Sequence, residues 1–205
     1  MDAFEQLVAD LFWADGYWVR NSVKVDLTRE DKHAIGKHSS PRWEIDLVVY
    51  QPVKNELLVL ECKSYFDSGG VHAAHLLPGA KLAHRYKLFH DAMLRDTVLY
   101  RLKDQFVQAG YCHRDAEVRL GLVYGHATKG NAERLEHIFR EGNWRLFDAN
   151  WLRTHLVQLS HAGYENSTAA VVAKVLNRGN ASESRASTLG MRERIHPTLN
   201  GGRAP

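Results

Sequence analysis

The chain has 205 residues, 44% of them hydrophobic and 25% charged, which is the composition of a globular domain that can bury a core of its own. The formal net charge is +3, but residues 178–205 hold five Arg and two Glu, so the rest of the chain is balanced. A polyanionic partner must therefore be bound through local clusters of positive charge, because the total charge of the body gives no net attraction.

The sequence lacks the features of membrane-spanning proteins and of small disulfide-rich proteins. No apolar stretch approaches the roughly 18 residues needed to cross a bilayer. The acidic, amphipathic start MDAFEQLVAD lacks the pattern of a secretory signal. Cys62 and Cys112 are too few for a disulfide framework and form no Cys-x-x-Cys pair. We therefore expect a protein without membrane contact in the reducing cytoplasm.

Hydrophobic spacing predicts the elements of the first third of the chain. Apolar residues at helical spacing predict a helix over about residues 2–14, which Asp15-Gly16 ends. Alternation in YWVRNSVKVDL predicts a strand, and the polar residues 28–42 predict a loop. WEIDLVVYQ and NELLVLECKS read as two strands of a hairpin, joined by the turn PVKN.

The rest of the chain alternates helices and strands. A glycine-punctuated loop after Tyr65 leads into one long helix from about Lys81 to Gln108. Then follow, in order, a strand (AEVRLGLVYG), a helix (NAERLEHIFREG), a short strand (WRLFD), and two helices (ANWLRTHLVQLSHAG and STAAVVAKVLNRG). Residues 179–205 have little to bury and are predicted to be a disordered basic tail. This order predicts an α/β fold, a three-layer sandwich around a mixed sheet, as a single domain over residues 1–178.

Charged residues gather at one end of the predicted hairpin. If Tyr50 faces Leu57 across the turn, Asp46 lies directly opposite Glu61, and two carboxylates so placed repel each other. Lys63 shares a face of its strand with Glu61, because alternate side chains of a strand point the same way. The pairing makes sense if Mg²⁺ lies between the carboxylates, a hard ion suited to phosphodiester hydrolysis. Glu5 borders the apolar stripe of the first helix and is a candidate third carboxylate.

The stretch IDLVVYQPVKNELLVLECKS resembles the core signature of the PD-(D/E)XK nuclease superfamily, which has the restriction-endonuclease-like fold. The Asp of the first half-motif falls on Asp46, the Glu-x-Lys of the second falls on residues 61–63, and the upstream helical Glu falls on Glu5. Ile45 stands where the named motif has proline. The resemblance implies an αβββαβ core over about residues 2–125, with residues 126–178 as an α/β extension.

The resemblance also implies a set of site residues. Mg²⁺, or Mn²⁺ in its place, would be held by Asp46, Glu61 and the backbone carbonyl of Cys62. Glu5 would be a further ligand or catalytic carboxylate, and Lys63 would serve the catalytic water.

Two further groups of residues follow the hairpin. Lys81, Arg85 and Lys87 come directly after the loop that leaves the site, and we expect them to contact the DNA backbone. His72 and His75 have helical spacing, but a zinc site needs three or four ligands, and no such set is recognisable.

The function expected from the sequence is Mg²⁺-dependent hydrolysis of DNA, with an endonuclease as the expected type. The alternative is a catalytically silent module of the same fold that binds DNA or assembles with a larger partner. A chain of this length has little room for a separate sequence-reading domain. With either function, the protein could therefore act as a homodimer or within a larger complex.

Overall fold

The computed structural model describes residues 2–36, 42–163 and 167–177. The chain divides into two units, Met1–His155 and Leu156–Pro205. The helices are α1 (Ala3–Ala14), α2 (Arg29–Ala34), α3 (Lys87–His90), α4 (Ala92–Gln108), α5 (Ala132–Glu141), α6 (Ala149–His161) and α7 (168–177). The strands are β1 (Trp18–Val25), β2 (Trp43–Gln51), β3 (Glu56–Lys63), β4 (Glu117–Tyr124) and β5 (Arg145–Phe147).

The first helix begins at a capping box. Asp2 accepts a hydrogen bond from the backbone N–H of Glu5, and Glu5 accepts one from the backbone N–H of Asp2. These two bonds satisfy donors that every helix leaves open at its N-terminus. Helix α1 ends at Ala14, and Gly16 follows it with a φ of 82°. The predicted bounds of this helix are confirmed.

Five strands form one mixed sheet in the order β1-β2-β3-β4-β5. Strand β2 pairs antiparallel with β1 and with β3, whereas β4 pairs parallel with β3 and with β5. Within the hairpin Tyr50 pairs with Leu57, which confirms the predicted register. The predicted mixed sheet is therefore confirmed.

Both faces of the sheet are covered by helices. On one face Val48, Val59 and Leu120 belong to a buried cluster that also contains residues of α4 and α5, among them Leu94, Val98, Leu102, Leu135 and Phe139. The alternate residues Leu47, Val49, Leu58 and Leu60 are also buried. Helix α1 contacts β1, β2 and β3, and its Phe12 packs against Phe147 and against Trp151 of α6. This arrangement is consistent with the expected three-layer α/β sandwich.

The predicted long helix from Lys81 to Gln108 is wrong in its first third. Residues 83–85 form a 3-10 turn, α3 spans four residues, and α4 begins only at Ala92. Asp91 separates the two helices with an extended backbone (φ −102°, ψ 95°), and its side chain accepts a hydrogen bond from the N–H of Leu94. An Asp side chain that caps a new helix competes with continuation of the old one.

The predicted loop over residues 28–42 contains a short helix that the sequence pattern did not reveal. Thr28 and Asp31 form a capping box at the start of α2. Arg101 of α4 donates two hydrogen bonds to Asp31, at 2.6 and 3.1 Å. No residue of α2 itself is buried, so this ion pair, its cap and the flanking residues Leu27 and Ile35, which pack against the core, hold the helix in place.

The second unit contains the last residues of α6 and all of α7. Ser167 Oγ accepts a hydrogen bond from the N–H of Ala170 and so caps the start of α7. Asn177 donates a hydrogen bond to Ser160 Oγ, which links α7 to the end of α6. The predicted tail, residues 179–205, lies outside the described residues. In the part of the chain that the structure describes, no helix is long and apolar enough to cross a membrane.

Candidate active site

Asp46 lies where the regular pairing of β2 is interrupted. The β2–β3 pairs run from Gln51–Glu56 to Leu47–Leu60, and the same register places Asp46 opposite Glu61, one step further on. There the Asp46 carboxylate accepts a hydrogen bond of 2.8 Å from the backbone N–H of Cys62. On the other side of Asp46, Ser22 of β1 has a φ of 48°, a left-handed conformation that is uncommon for residues other than glycine. The break in pairing leaves room for the charged groups.

Lys63 joins the two carboxylates. Its Nζ lies 3.1 Å from Glu61 Oε2 and 3.4 Å from Asp46 Oδ2. The three side chains are mostly buried, with 18% of Lys63, 23% of Asp46 and 13% of Glu61 exposed. The structure therefore brings together the three residues that the hairpin pattern predicts. Their roles stay predictions.

Burial dominates the electrostatics of this cluster. Burial raises the pKa of Glu61 to about 7, with Lys63 opposing the shift and Asp46 adding to it. Burial also works against the charge of Lys63, but the carboxylates of Glu61 and Asp46 outweigh it and raise the pKa of the ammonium above its usual value. Lys63 is therefore protonated at neutral pH and acts as a hydrogen-bond donor.

Glu5 lies within electrostatic reach of the same cluster. Its pKa is raised above the usual value, first by burial and then by the Asp46 carboxylate, against the hydrogen bond from Asp2. Charge on Glu5 also contributes to the raised pKa of Glu61. The Glu5 carboxylate thus has two roles: it accepts the capping hydrogen bond at the start of α1, and it adds negative charge beside Asp46.

Cys62 contributes its backbone to the site. Its thiol is buried on the opposite side of β3 from Glu61 and Lys63, and burial raises the pKa of the thiol well above its usual value. Its N–H donates to Asp46 and fixes that carboxylate. The predicted use of its carbonyl oxygen as a metal ligand stays a prediction.

The donor set suits Mg²⁺ better than a transition metal. Among the described residues there is no group of three or more His, Cys, Asp or Glu side chains that could hold a metal ion. Asp46 and Glu61 nonetheless present oxygens to one shared volume, as their common contact with Lys63 Nζ demonstrates. A site built from two carboxylates, with water and phosphate oxygens completing the shell, is typical of Mg²⁺. The residues therefore fit Mg²⁺ as two-carboxylate ligands.

The predicted DNA-contact residues lie on the segment between the loop and α4. Lys81 and Arg85 are exposed, and Lys87 is half-buried. Arg85 donates a hydrogen bond of 3.3 Å to the hydroxyl of Tyr65, two residues after Lys63. This bond places Arg85 near the end of β3. The predicted contact of all three cations with DNA stays a prediction.

Sequence reasoning missed Tyr65 and Tyr86. Tyr65 follows the charged end of β3, and its hydroxyl lies 3.4 Å from that of Tyr86, which is buried. The two residues are 21 positions apart, and no periodic pattern connects them. A signal was nevertheless present, because Tyr65, an aromatic residue with a polar group, comes two residues after the Glu-x-Lys stretch.

Comparison of the chain with protein-family models, with curated proteins and with solved structures gave no match.

Proposed function

We propose that this protein is a metal-dependent deoxyribonuclease of the PD-(D/E)XK type, which hydrolyses phosphodiester bonds at Asp46, Glu61 and Lys63. The observation that carries the proposal is the convergence of these three charged side chains, mostly buried, at one end of the two central strands. Under this proposal the sheet and α1 form a restriction-endonuclease-like core.

The free-energy cost of burying these three charged side chains supports a functional reason for the cluster. Burying charged groups is expensive, and well-packed apolar residues of similar volume give equal or greater stability. The neighbouring positions of β2 and β3 are almost entirely apolar and buried. A surface ion pair would need neither this burial nor the hydrogen bond that fixes Asp46.

Each residue has a distinct part in the proposed reaction. Asp46 and Glu61, with the carbonyl of Cys62, would hold Mg²⁺, which when bound supplies the positive charge that polarises a phosphoryl oxygen and acidifies water. Lys63, protonated at neutral pH, orients the attacking water and stabilises the negative charge that develops on the phosphate. Glu5 adds a carboxylate that can accept hydrogen bonds from water beside Asp46.

The proposal is tested by incubating the purified protein with supercoiled, linear and single-stranded DNA, each with Mg²⁺, Mn²⁺ or EDTA. We expect cleavage with either metal and none with EDTA. Opening of the supercoiled circle identifies an endonuclease, since an exonuclease needs an end. DNA that stays intact under every condition, with protein that is folded, would overturn the proposal.

One observation favours a second function. The Lys63 ammonium already lies between Asp46 and Glu61, where a cation would be expected, and it offsets one of their two negative charges without a metal. A catalytically silent module that binds DNA or assembles with a larger partner would have this arrangement. Such a module binds DNA in EDTA, shows no rise in melting temperature with Mn²⁺, and leaves every DNA substrate intact.

A further inference from the structure

Tyr65 has a strained backbone next to the proposed site. Its φ is 47°, in the left-handed region that bulky residues rarely adopt. Such a conformation costs about 1–3 kcal/mol and persists only where the surroundings impose it. Residues of this kind cluster at functional sites, so the groups that hold Tyr65 and the partners of its side chain bear on function.

The residues on either side of Tyr65 are held tightly. The carbonyl oxygen of Lys63 accepts a hydrogen bond of 3.0 Å from the N–H of Gly125. A Cβ at Gly125 would collide with the carbonyl oxygen of Ser64 and with the ring of Phe66, so only glycine permits this approach. The Phe66 ring packs edge-on against Phe4 of α1, at 5.7 Å between centroids. Tyr65 is therefore fixed between two restrained neighbours.

The hydroxyl of Tyr65 connects the core to an exposed cation. The buried Tyr86 donates to it over 3.4 Å, and Arg85 Nη1 donates to it over 3.3 Å. Burial would raise the pKa of Tyr65, but hydrogen bonds from Tyr86 and Arg85 and the charges of Arg85 and Lys63 lower it. The hydroxyl oxygen thus lies in the field of two cations, one of which belongs to the proposed active site.

We propose that Tyr65 is a positioning residue that holds the Arg85 guanidinium beside the Lys63 end of the site, so that Arg85 binds a backbone phosphate adjacent to the cleaved one. This inference rests on the proposed function. A guanidinium carries several N–H donors in a planar fork, and one bond to Tyr65 leaves others to bind phosphate oxygens. Tyr65 itself does not contact the substrate.

Positioning matters because Arg85 is otherwise a long, exposed side chain. An arginine that is ordered only upon binding loses rotamer entropy at that step, whereas a guanidinium already held by Tyr65 loses less. The effect therefore belongs to substrate binding and not to the chemical step.

The test is a double-mutant cycle in a DNA-binding assay. Kd is measured by fluorescence anisotropy with a labelled duplex in EDTA, so that neither metal nor cleavage is needed. Tyr65→Phe, which removes only the hydroxyl, should raise Kd about 3- to 10-fold, as for the cost of ordering one long side chain on binding. Arg85→Gln should raise Kd at least as much. In the double variant, Tyr65→Phe should add nothing to Arg85→Gln, because Tyr65 acts through Arg85.

Tyr100→Phe is the matched control, since Tyr100 is an exposed tyrosine on α4. It should leave Kd unchanged. A merely structural role for Tyr65 predicts a lower melting temperature for Tyr65→Phe and effects on Kd that add in the double variant. Either that result or a wild-type Kd for Tyr65→Phe overturns the inference.

The outcome is separable from that of the proposed function. Wild-type protein that binds DNA but never cleaves it would overturn the nuclease proposal, and the cycle would still decide the role of Tyr65. Wild-type protein that cleaves DNA while Tyr65→Phe binds normally would overturn the inference alone. Protein that does not bind DNA in EDTA would overturn the inference, and it would overturn both only if every DNA substrate also stays intact with Mg²⁺ and Mn²⁺.

Discussion

The Lys63 ammonium forms ion pairs with two mostly buried carboxylates, those of Asp46 and Glu61. A variant without the ammonium therefore tests what these ion pairs contribute. Replacing Lys63 with Met keeps most of the side-chain length and deletes the ammonium. In EDTA the variant should lose about 3 kcal/mol of free energy of unfolding, because Asp46 and Glu61 are then buried without their cation. Mn²⁺ should restore more stability to the variant than it adds to the wild type, since no ammonium competes for the same oxygens.

Urea denaturation of both proteins, with EDTA and with Mn²⁺, measures these effects. Equal stability in EDTA would mean that the ion pairs of 3.1 and 3.4 Å contribute nothing to folding. A weaker response to Mn²⁺ in the variant than in the wild type would contradict competition between Lys63 and the metal.

Glu61 gives the metal-free protein an unusual pH dependence. A carboxyl whose folded pKa is about 7 takes up a proton more readily when folded than when unfolded, where its value is near 4.5. The contribution of Glu61 to the free energy of unfolding is therefore largest below about pH 4.5 and is lost as the pH rises through about 7. Glu61→Gln should be more stable than the wild type near pH 8 and should flatten the profile between these values. Denaturation at several pH values in EDTA checks this, and identical profiles would contradict the assignment.

At the scale of elements, patterns that depend on near neighbours could be predicted from the sequence. The alternation in β2 and β3 and the turn between them fix the pairing of Tyr50 with Leu57, and with it the approach of Asp46 to Glu61. The spacing in α1 places Glu5 beside the site for the same reason.

Interactions between residues far apart in the chain could not be predicted. The ion pair of Asp31 with Arg101 secures α2 to α4 across 70 positions, although α2 has no apolar face to reveal it. Asp91 reads as one polar residue within a helical stretch, and only its backbone angles reveal a cap. The contact of Tyr65 with Tyr86 spans 21 positions and involves a left-handed backbone at Tyr65, which no sequence pattern reveals.

Gly125, which directly follows β4, is a position where a substitution should disturb the site. In Gly125→Ala the new Cβ must displace Ser64 and Phe66, which adjoin Tyr65. We expect the free energy of unfolding to fall by about 1–3 kcal/mol, as for overpacking elsewhere. Any cleavage should fall more than stability explains. Gly69→Ala is the control, because its Cβ would meet open space. Wild-type behaviour of Gly125→Ala, measured by melting and cleavage together, would contradict this close approach.

At the scale of the whole molecule, the charge balance bears on where the proposed DNA substrate would bind. Outside residues 178–205 the positive and negative side chains are equal in number, so binding by the body depends on local groups. Neutralising Lys81, Arg85 and Lys87 to Gln should weaken DNA binding across sequences. The slope of log K against log salt should fall by up to about 0.9 for each phosphate that the variant no longer neutralises. Anisotropy titrations at several salt concentrations give this slope.

A matched control uses exposed cations elsewhere, namely Lys54, Arg114 and Arg153. Lys54 lies in the turn between β2 and β3, at the opposite end of these strands from Lys63. Neutralising this set should leave the slope nearly unchanged. Equal effects of the two sets would contradict a local DNA surface near Lys81–Lys87.

The most direct measurement is the single-turnover rate of plasmid cleavage by wild type and Asp46→Asn in Mg²⁺ and in EDTA. Asn keeps an oxygen that can accept the hydrogen bond from Cys62, so the variant should fold, while the charge that holds the metal is gone. We predict cleavage by the wild type in Mg²⁺ alone, and a rate at least about 100-fold lower for folded Asp46→Asn. Cleavage that persists in EDTA, or that proceeds at the wild-type rate in Asp46→Asn, would contradict a metal-dependent site at Asp46.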